Sequence, residues 1–309
     1  MLTILVLGSA AGGGFPQWNC NCAGCRRARS GDPAAAPRTQ SSLAVSGGDG
    51  RWVLLNASPD LGHQIRANAA LHPRDGLRHS PIAATVLTNA DIDHVAGLLT
   101  LRESQPFAIY ATERVQSVLA ANSVFRVVNP DLVPRRAVAL DRPYVPADAG
   151  GVPLPFEIEA FAVPGKVALY LEDPGAAGFG SVAEDTVALR IRDLNSDASF
   201  FYIPGCSAMP DWLAGRLRGA PLVLFDGTTW TDDEMIRAGT GTKTGQRMGH
   251  MAMSGPEGSI AAFAGLGVRR KVFIHINNTN PALLDDSPER AAAEAAGWEI
   301  ARDGMEFTL

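Results

Sequence analysis

Several features that would classify this chain at once are scarce or missing. Basic residues are outnumbered, with 27 Lys and Arg against 32 Asp and Glu, for a formal net charge of −5. A nucleic-acid partner needs basic surface and is therefore not expected, whereas a small anionic ligand held by a few local Arg or Lys remains open. No apolar run approaches the ~20 residues of a membrane-spanning helix, so no membrane attachment is expected. The opening stretch, "MLTILVLGSAAGGGFPQWN", has no basic segment ahead of its short apolar run. It reads as a first strand rather than a signal peptide, which predicts a cytoplasmic location. The glycines from Gly8 to Gly14 lack the G-x-G-x-x-G spacing, and no helix follows directly, so a dinucleotide fold is disfavoured. No G-x-S-x-G surrounds Cys206, which excludes a nucleophile elbow there. There are only four cysteines, and three of them, Cys20, Cys22 and Cys25, fall within six residues. In a reducing cell such clustering suggests metal more than disulfide.

What is present is a large apolar fraction, 46% of 309 residues, enough for a sizeable core. Strands are expected at 2–7, in a hairpin around Gly47 to Gly50, and at 82–89, 107–112, 156–163, 186–193, 199–205, 222–228 and 270–276. Helices are expected at 60–71, 94–103, 113–125, 209–219, 257–267 and 287–298, the last opened by Ser287 and Pro288 and ended by Gly297. A Cys-rich loop spans about 15–40, and the segments 129–151 and 228–253 read as irregular. Strands and helices alternate, but hairpins occur early and in the middle. That pattern predicts an α/β chain of one domain, 1–309, built as an αββα sandwich of two mixed sheets flanked by helices.

Three of the expected strands run into polar groups of ligand type. "LTNADIDHVAGLL" brings Asp91, Asp93 and His94 after one apolar run, "LVLFDGT" ends in Asp226, and "KVFIHINNTN" ends in His275. Strand ends in one sheet converge on one edge, and carboxylate with imidazole suits a borderline metal such as Zn or Fe. The bland alternative is a helix capped by Asp93 with a solvated His94. His250, in "MGHMAMSG", is either an acid/base group or a histidine satisfied inside a glycine turn. Lys243 and Arg247 either bind substrate carboxylates or belong to a solvated loop. "CNCAGC" has the C-x-C-x-x-C spacing of a tetrahedral zinc site with its fourth ligand unassigned, or is three thiols without metal. Phe15, Trp18 and Trp230 flank these loops and either stack on an aromatic ligand or pack in the core. His63, His72 and His79 are expected at the surface.

The stretch "NADIDH" resembles the H-x-H-x-D-H signature of the metallo-β-lactamase superfamily, with Asn89 and Asp91 in place of its first two histidines. "GSAAGGGFPQWNCNCAGC", "TNADIDHVAGLL", "GTKTGQRMGHMAMSG" and "FIHINNTNP" together resemble the pyrroloquinoline quinone (PQQ) biosynthesis protein B family from end to end. The resemblance implies the metallo-β-lactamase fold. It also implies that the first metal position, at Asn89, Asp91 and Cys206, is degraded, while the second, at Asp93, His94 and His275 with Asp226 at the bridging position, is intact. Two histidines and a carboxylate then match a mononuclear Fe(II) centre, with Asp226 as a further ligand and Asp91 as a ligand or an orienting group. The implied activity is an iron- and O2-dependent hydroxylation of the tyrosine ring of 3-(2-amino-2-carboxyethyl)-tyrosine, derived from a precursor peptide. The expected cofactors are active-site Fe(II) and a structural Zn on the three cysteines. Expected partners are a small amino-acid-derived substrate and O2, with a homodimer and contacts to other PQQ biosynthesis proteins also implied. Two rival readings keep the fold: a soluble carrier in transport of PQQ or its precursor to the periplasm, and a metal-dependent hydrolase. The position where relatives place a histidine for the cysteine site is Asn278, which leaves that fourth ligand open.

Overall fold

The computed structural model describes all 309 residues. Thirteen strands form two sheets. The first runs β13 (Glu306–Thr308), β1 (Thr3–Gly8), β2 (Ser42–Ser46), β3 (Trp52–Leu55), β4 (Ile82–Val86), β5 (Ala108–Ala111) and β6 (Arg135–Ala137). The second runs β12 (Trp298–Ile300), β11 (Arg270–Ile274), β10 (Leu222–Asp226), β9 (Ser199–Ile203), β8 (Val187–Asp193) and β7 (Phe156–Ala162). Each sheet has an antiparallel part and a parallel part, and helical segments make the crossovers of the parallel part. Thus β1, β2 and β3 pair antiparallel while β3 to β6 pair parallel. In the second sheet β7 to β9 pair antiparallel and β9 to β12 parallel.

Three apolar layers hold this αββα sandwich together. Val6, Val53 and Val86 of the first sheet meet Leu189, Leu224 and Val272 of the second in the central layer. Leu54, Leu61 and Val115 pack helices Leu61–Ala67 and Glu113–Ala121 on the outer face of the first sheet. Phe225, Leu213 and Phe263 do the same for helices Asp211–Leu217 and Ser259–Phe263 on the second. Because both faces of β10 are covered, Leu224 points to one core and Phe225 to another, and the strand reads as an unbroken apolar run.

Local differences from the sequence reading have tertiary causes. The helix expected over 94–103 is one α-turn, Ile92–Val95, followed by a 3-10 segment, Ala96–Arg102. Here the His94 carbonyl accepts from Ala57 N at 2.7 Å, and Gly97 N donates to Ala57 O at 2.8 Å, in place of regular helical bonds. A Cβ at Gly97 would collide with the Ser58 carbonyl oxygen, so glycine is what lets the two segments touch. The irregular stretch 129–151 contributes the edge strand β6, and 228–253 contains two one-turn helices, Glu234–Arg237 and Gly245–Met248. The last dozen residues divide between the sheets, as β12 and β13. No helix is long and apolar enough to cross a membrane.

Candidate metal centre

The carboxyl ends of the parallel strands β4, β10 and β11 lie at one edge, where open α/β sheets place their ligands. Beyond β4 the chain turns through Thr88 and Asn89 into the helix Ile92–Val95. Its N-cap is Asp91, not Asp93, and no side chain makes a capping bond. Asp93 is instead turned toward the end of β11, where its Oδ2 lies 3.1 Å from His275 Nε2 and 3.8 Å from His94 Nε2. The His94 and His275 rings meet edge to face, with centroids 5.3 Å apart. His94 and His275 are buried, and Asp93 keeps 16% of its side chain exposed, so the cluster has one open side.

Hydrogen bonding fixes how the two imidazoles present themselves. His94 Nδ1 lies 2.8 Å from Asn89 Oδ1, which also accepts the Asp91 amide at 2.9 Å. An amide oxygen only accepts, so Nδ1 carries the hydrogen and Nε2 offers a lone pair. That Nε2 is buried and has no partner in the protein. His275 Nδ1 lies 2.9 Å from Thr228 Oγ1, which leaves its Nε2 facing Asp93. His275 sits at φ 58°, in the left-handed region. Asn89, read from sequence as a lost ligand, therefore holds the His94 imidazole in place, as groups behind metal-binding imidazoles commonly do. Sequence reasoning missed Thr228 altogether; its only signal was its place two residues after Asp226.

Charges follow the same geometry. Burial pulls His94 down to about 4. Burial works against ionisation of Asp93, but the two imidazoles hold its carboxyl well below the usual range. His275 is raised, its hydrogen bond to Asp93 outweighing burial. Asp91 is raised by burial and by the neighbouring Asp93 charge, and one of its oxygens accepts from Leu169 N at 3.3 Å.

The remaining candidates are distributed unevenly. Asp226 groups with His250 and His275, whereas Asp93 and His94 form the other group around His275. Cys206 is buried, its thiol is bonded to Ala208 O at 3.1 Å, and burial pushes it up to about 12. Arg247 already holds a carboxylate: its guanidinium donates to both Glu172 oxygens, at 3.0 and 2.8 Å, over the face of Phe179. Lys243 is half-buried, makes no ion pair, and its charge contributes to holding the Glu172 carboxyl low. Phe15 is buried, Trp230 is half-buried against the core, and Trp18 is exposed. His63 and His72 are exposed, and His79 is half-buried beside Asp75.

Cys20, Cys22 and Cys25 form a second cluster, with all three sulfurs within 4.8 Å of one another. Backbone amides build it. Cys22 Sγ caps the helix Ala23–Arg29 by accepting from Cys25 N, and Cys20 Sγ accepts from Cys22 N at 3.4 Å. Asn278 closes the fourth side: its side-chain Nδ2 lies 3.4 Å from Cys25 Sγ, and its backbone carbonyl oxygen accepts from Cys22 Sγ at 3.7 Å. Burial raises Cys22 to about 12, while Cys20 is lowered because hydrogen bonds, led by the Cys22 amide, outweigh burial.

The profile of the beta-lactamase superfamily domain matches residues 51–276. The coenzyme PQQ synthesis protein B of Gluconacetobacter diazotrophicus is 56% identical over 309 residues, covering 100% of both chains. That of Rhodopseudomonas palustris is 54% identical over 310 residues, again covering 100% of both. The crystal structure of Zn2+-bound PqqB from Methylobacterium extorquens superposes with a TM-score of 0.93 at 51% identity, covering 99% of this chain and 100% of that one. A diphosphatase of the PhnP family, 21% identical with a TM-score of 0.68 over 100% of this chain and 98% of its own, shares the fold.

Proposed function

The chain belongs to the beta-lactamase superfamily and, within it, to the coenzyme PQQ synthesis protein B family, and on that footing we propose that it is a ferrous-iron- and O2-dependent hydroxylase of PQQ biosynthesis. Its substrate is the tyrosine ring of 3-(2-amino-2-carboxyethyl)-tyrosine. The observation that carries this reading is the buried, unpartnered Nε2 of His94, set beside Asp93 and His275. An imidazole lone pair enclosed without a partner is unfavourable unless something binds it. Two imidazoles and one carboxylate are the protein ligands of a non-haem Fe(II) centre that leaves positions open. Iron held there would supply dioxygen activation next to the ring. Overall, one oxygen atom enters the ring and the other leaves as water, with two electrons and two protons from an external reductant.

The protein's own groups do the rest. His250, whose Nε2 makes no hydrogen bond within the protein, takes the proton of the ring hydroxyl. Asp91, at the rim two residues before Asp93, is the second group assigned to proton handling. Lys243 is free to pair with a substrate carboxylate, and Arg247 can do so only by exchange with Glu172. Cys20, Cys22 and Cys25 would hold a structural zinc, which would pin the N-terminal loop. The test is Fe(II) titration, with substrate under oxygen, of protein whose thiol site alone has been filled with zinc. Substrate-dependent O2 uptake should saturate near one iron per chain. Tight substrate binding without O2 uptake would favour a carrier. Turnover without oxygen, requiring two metal ions at the strand ends, would favour a hydrolase.

A further inference from the structure

The Asp226 carboxylate is fully enclosed, and both its oxygens are taken. Oδ1 accepts the Thr228 amide at 3.0 Å and the Thr228 hydroxyl at 2.6 Å. Oδ2 accepts the Cys206 amide at 2.9 Å and His250 Nδ1 at 2.7 Å. A carboxylate has about four acceptor sites, so these four donors leave none for a metal ion.

The proton inventory then fixes two rings. The Thr228 hydroxyl has one hydrogen, and its nearest acceptor is the charged Asp226 Oδ1. His275 Nδ1, 2.9 Å from Thr228 Oγ1, must therefore donate to that oxygen. His250 Nδ1 faces a carboxylate that can only accept, with Thr228 Oγ1 a second neighbour at 3.1 Å, so it also carries hydrogen. The two rings stack, with centroids 5.2 Å apart and planes 22° from parallel. His275 Nε2 faces Asp93, while the His250 side chain keeps 16% of its surface exposed.

We infer that Asp226 and Thr228 are positioning residues: together they clamp His275 and His250 in the Nδ1–H form, so that one ring turns its Nε2 lone pair to the metal cage and the other to the open side. Asp226 is then the anchor of His250 and not a ligand. The inference rests on Asp93, His94 and His275 being the ligand set. It does not need the ion to be iron, so zinc serves as the probe.

The test uses the full chain with its thiol site filled with zinc. Further Zn2+ is titrated calorimetrically, and the rings are followed by long-range 1H–15N spectra of 15N-histidine protein. In the wild type, before and after the further zinc is added, His275 and His250 should both carry hydrogen on Nδ1. Thr228→Val should weaken the added zinc by about 10–100-fold and, before that zinc is added, release the His275 pattern, while Asp226 still fixes His250. Thr228→Ser should restore most of the affinity, separating loss of the hydroxyl from loss of the fold. Asp226→Asn should release the His250 pattern while one further zinc still binds. Loss of that zinc in Asp226→Asn, or an unchanged His275 pattern and affinity in Thr228→Val, would overturn the clamp. If the wild type takes no further zinc but His250 keeps Nδ1–H, the ligand set fails while the Asp226 anchor is upheld.

Discussion

Two clusters of ligand-type side chains stand close together in this chain but are built in opposite ways. The thiol cluster comes from six consecutive positions, and backbone amides at the start of one helix shape it. The strand-end cage joins groups 182 residues apart, and side chains anchored on two sheets shape it: Asn89 behind His94, and Thr228 behind His275. The first is a local turn that folding must bring to the body of the protein. The second exists only once the sheets have formed. Metal should therefore contribute to folding mainly through the thiols, and the cage should be a product of folding that tolerates being empty.

The largest expected effect on that contrast comes from His275→Ala. The cage should lose its metal, with affinity reduced by at least 100-fold and O2 uptake abolished, while circular dichroism and thiol-bound zinc stay unchanged. Metal analysis per chain reads both sites at once. Cys25→Ser should do the converse. Because a lost structural metal belongs with the large destabilising changes, unfolding should become easier by roughly 4 kcal/mol, seen in denaturant titration. A properly folded fraction should still bind one ion at the cage. Asn89→Ala should be milder, weakening cage metal by about 10–100-fold without touching the thiol site, measured by competition with a chelator.

A pH-dependent effect lies beside the segment that joins the two clusters. Glu234 is buried and accepts from Thr279 Oγ1 and Trp230 N, and burial pushes it up to about 7. A carboxyl raised by folding is no burden below its unfolded value, near 4.3, and destabilises as pH rises through its folded value. Wild-type stability should therefore fall relative to Glu234→Gln between about pH 4.5 and 7.5, by up to about 4 kcal/mol. Thermal melts of both proteins across that range measure it. A constant gap would show that Glu234 ionises as freely in the fold as outside it.

The same contrast explains what could be read from the chain. The sandwich was legible because hairpin signals and helix-separated apolar strands alternate in an order that two mixed sheets satisfy. The thiol cluster was visible because its members are neighbours, and the convergence of three strand ends followed from their shared polar termini. The helix over 94–103 was not legible, because Ala57 takes its backbone bonds. Nor were the bonds of Asn89 and Asp226, both at positions of ligand type: Asn89 turns its oxygen to His94 five residues on through the local bend, and Asp226 meets Cys206 and His250, 20 and 24 residues away, only in the folded chain. The pairing of Arg247, expected either to bind a substrate carboxylate or to lie in a solvated loop, was not legible either, since its partner Glu172 lies 75 residues away.

Immediately after β11, His275 takes a left-handed backbone that glycine, or less readily asparagine, would adopt with ease, at a disadvantage of about 1 kcal/mol for other L-residues. Selection for conformational comfort alone would not put an imidazole there. Position 275 is thus a point where the chain accepts discomfort, and a stability-driven redesign that smoothed the bend would erase the chemistry first.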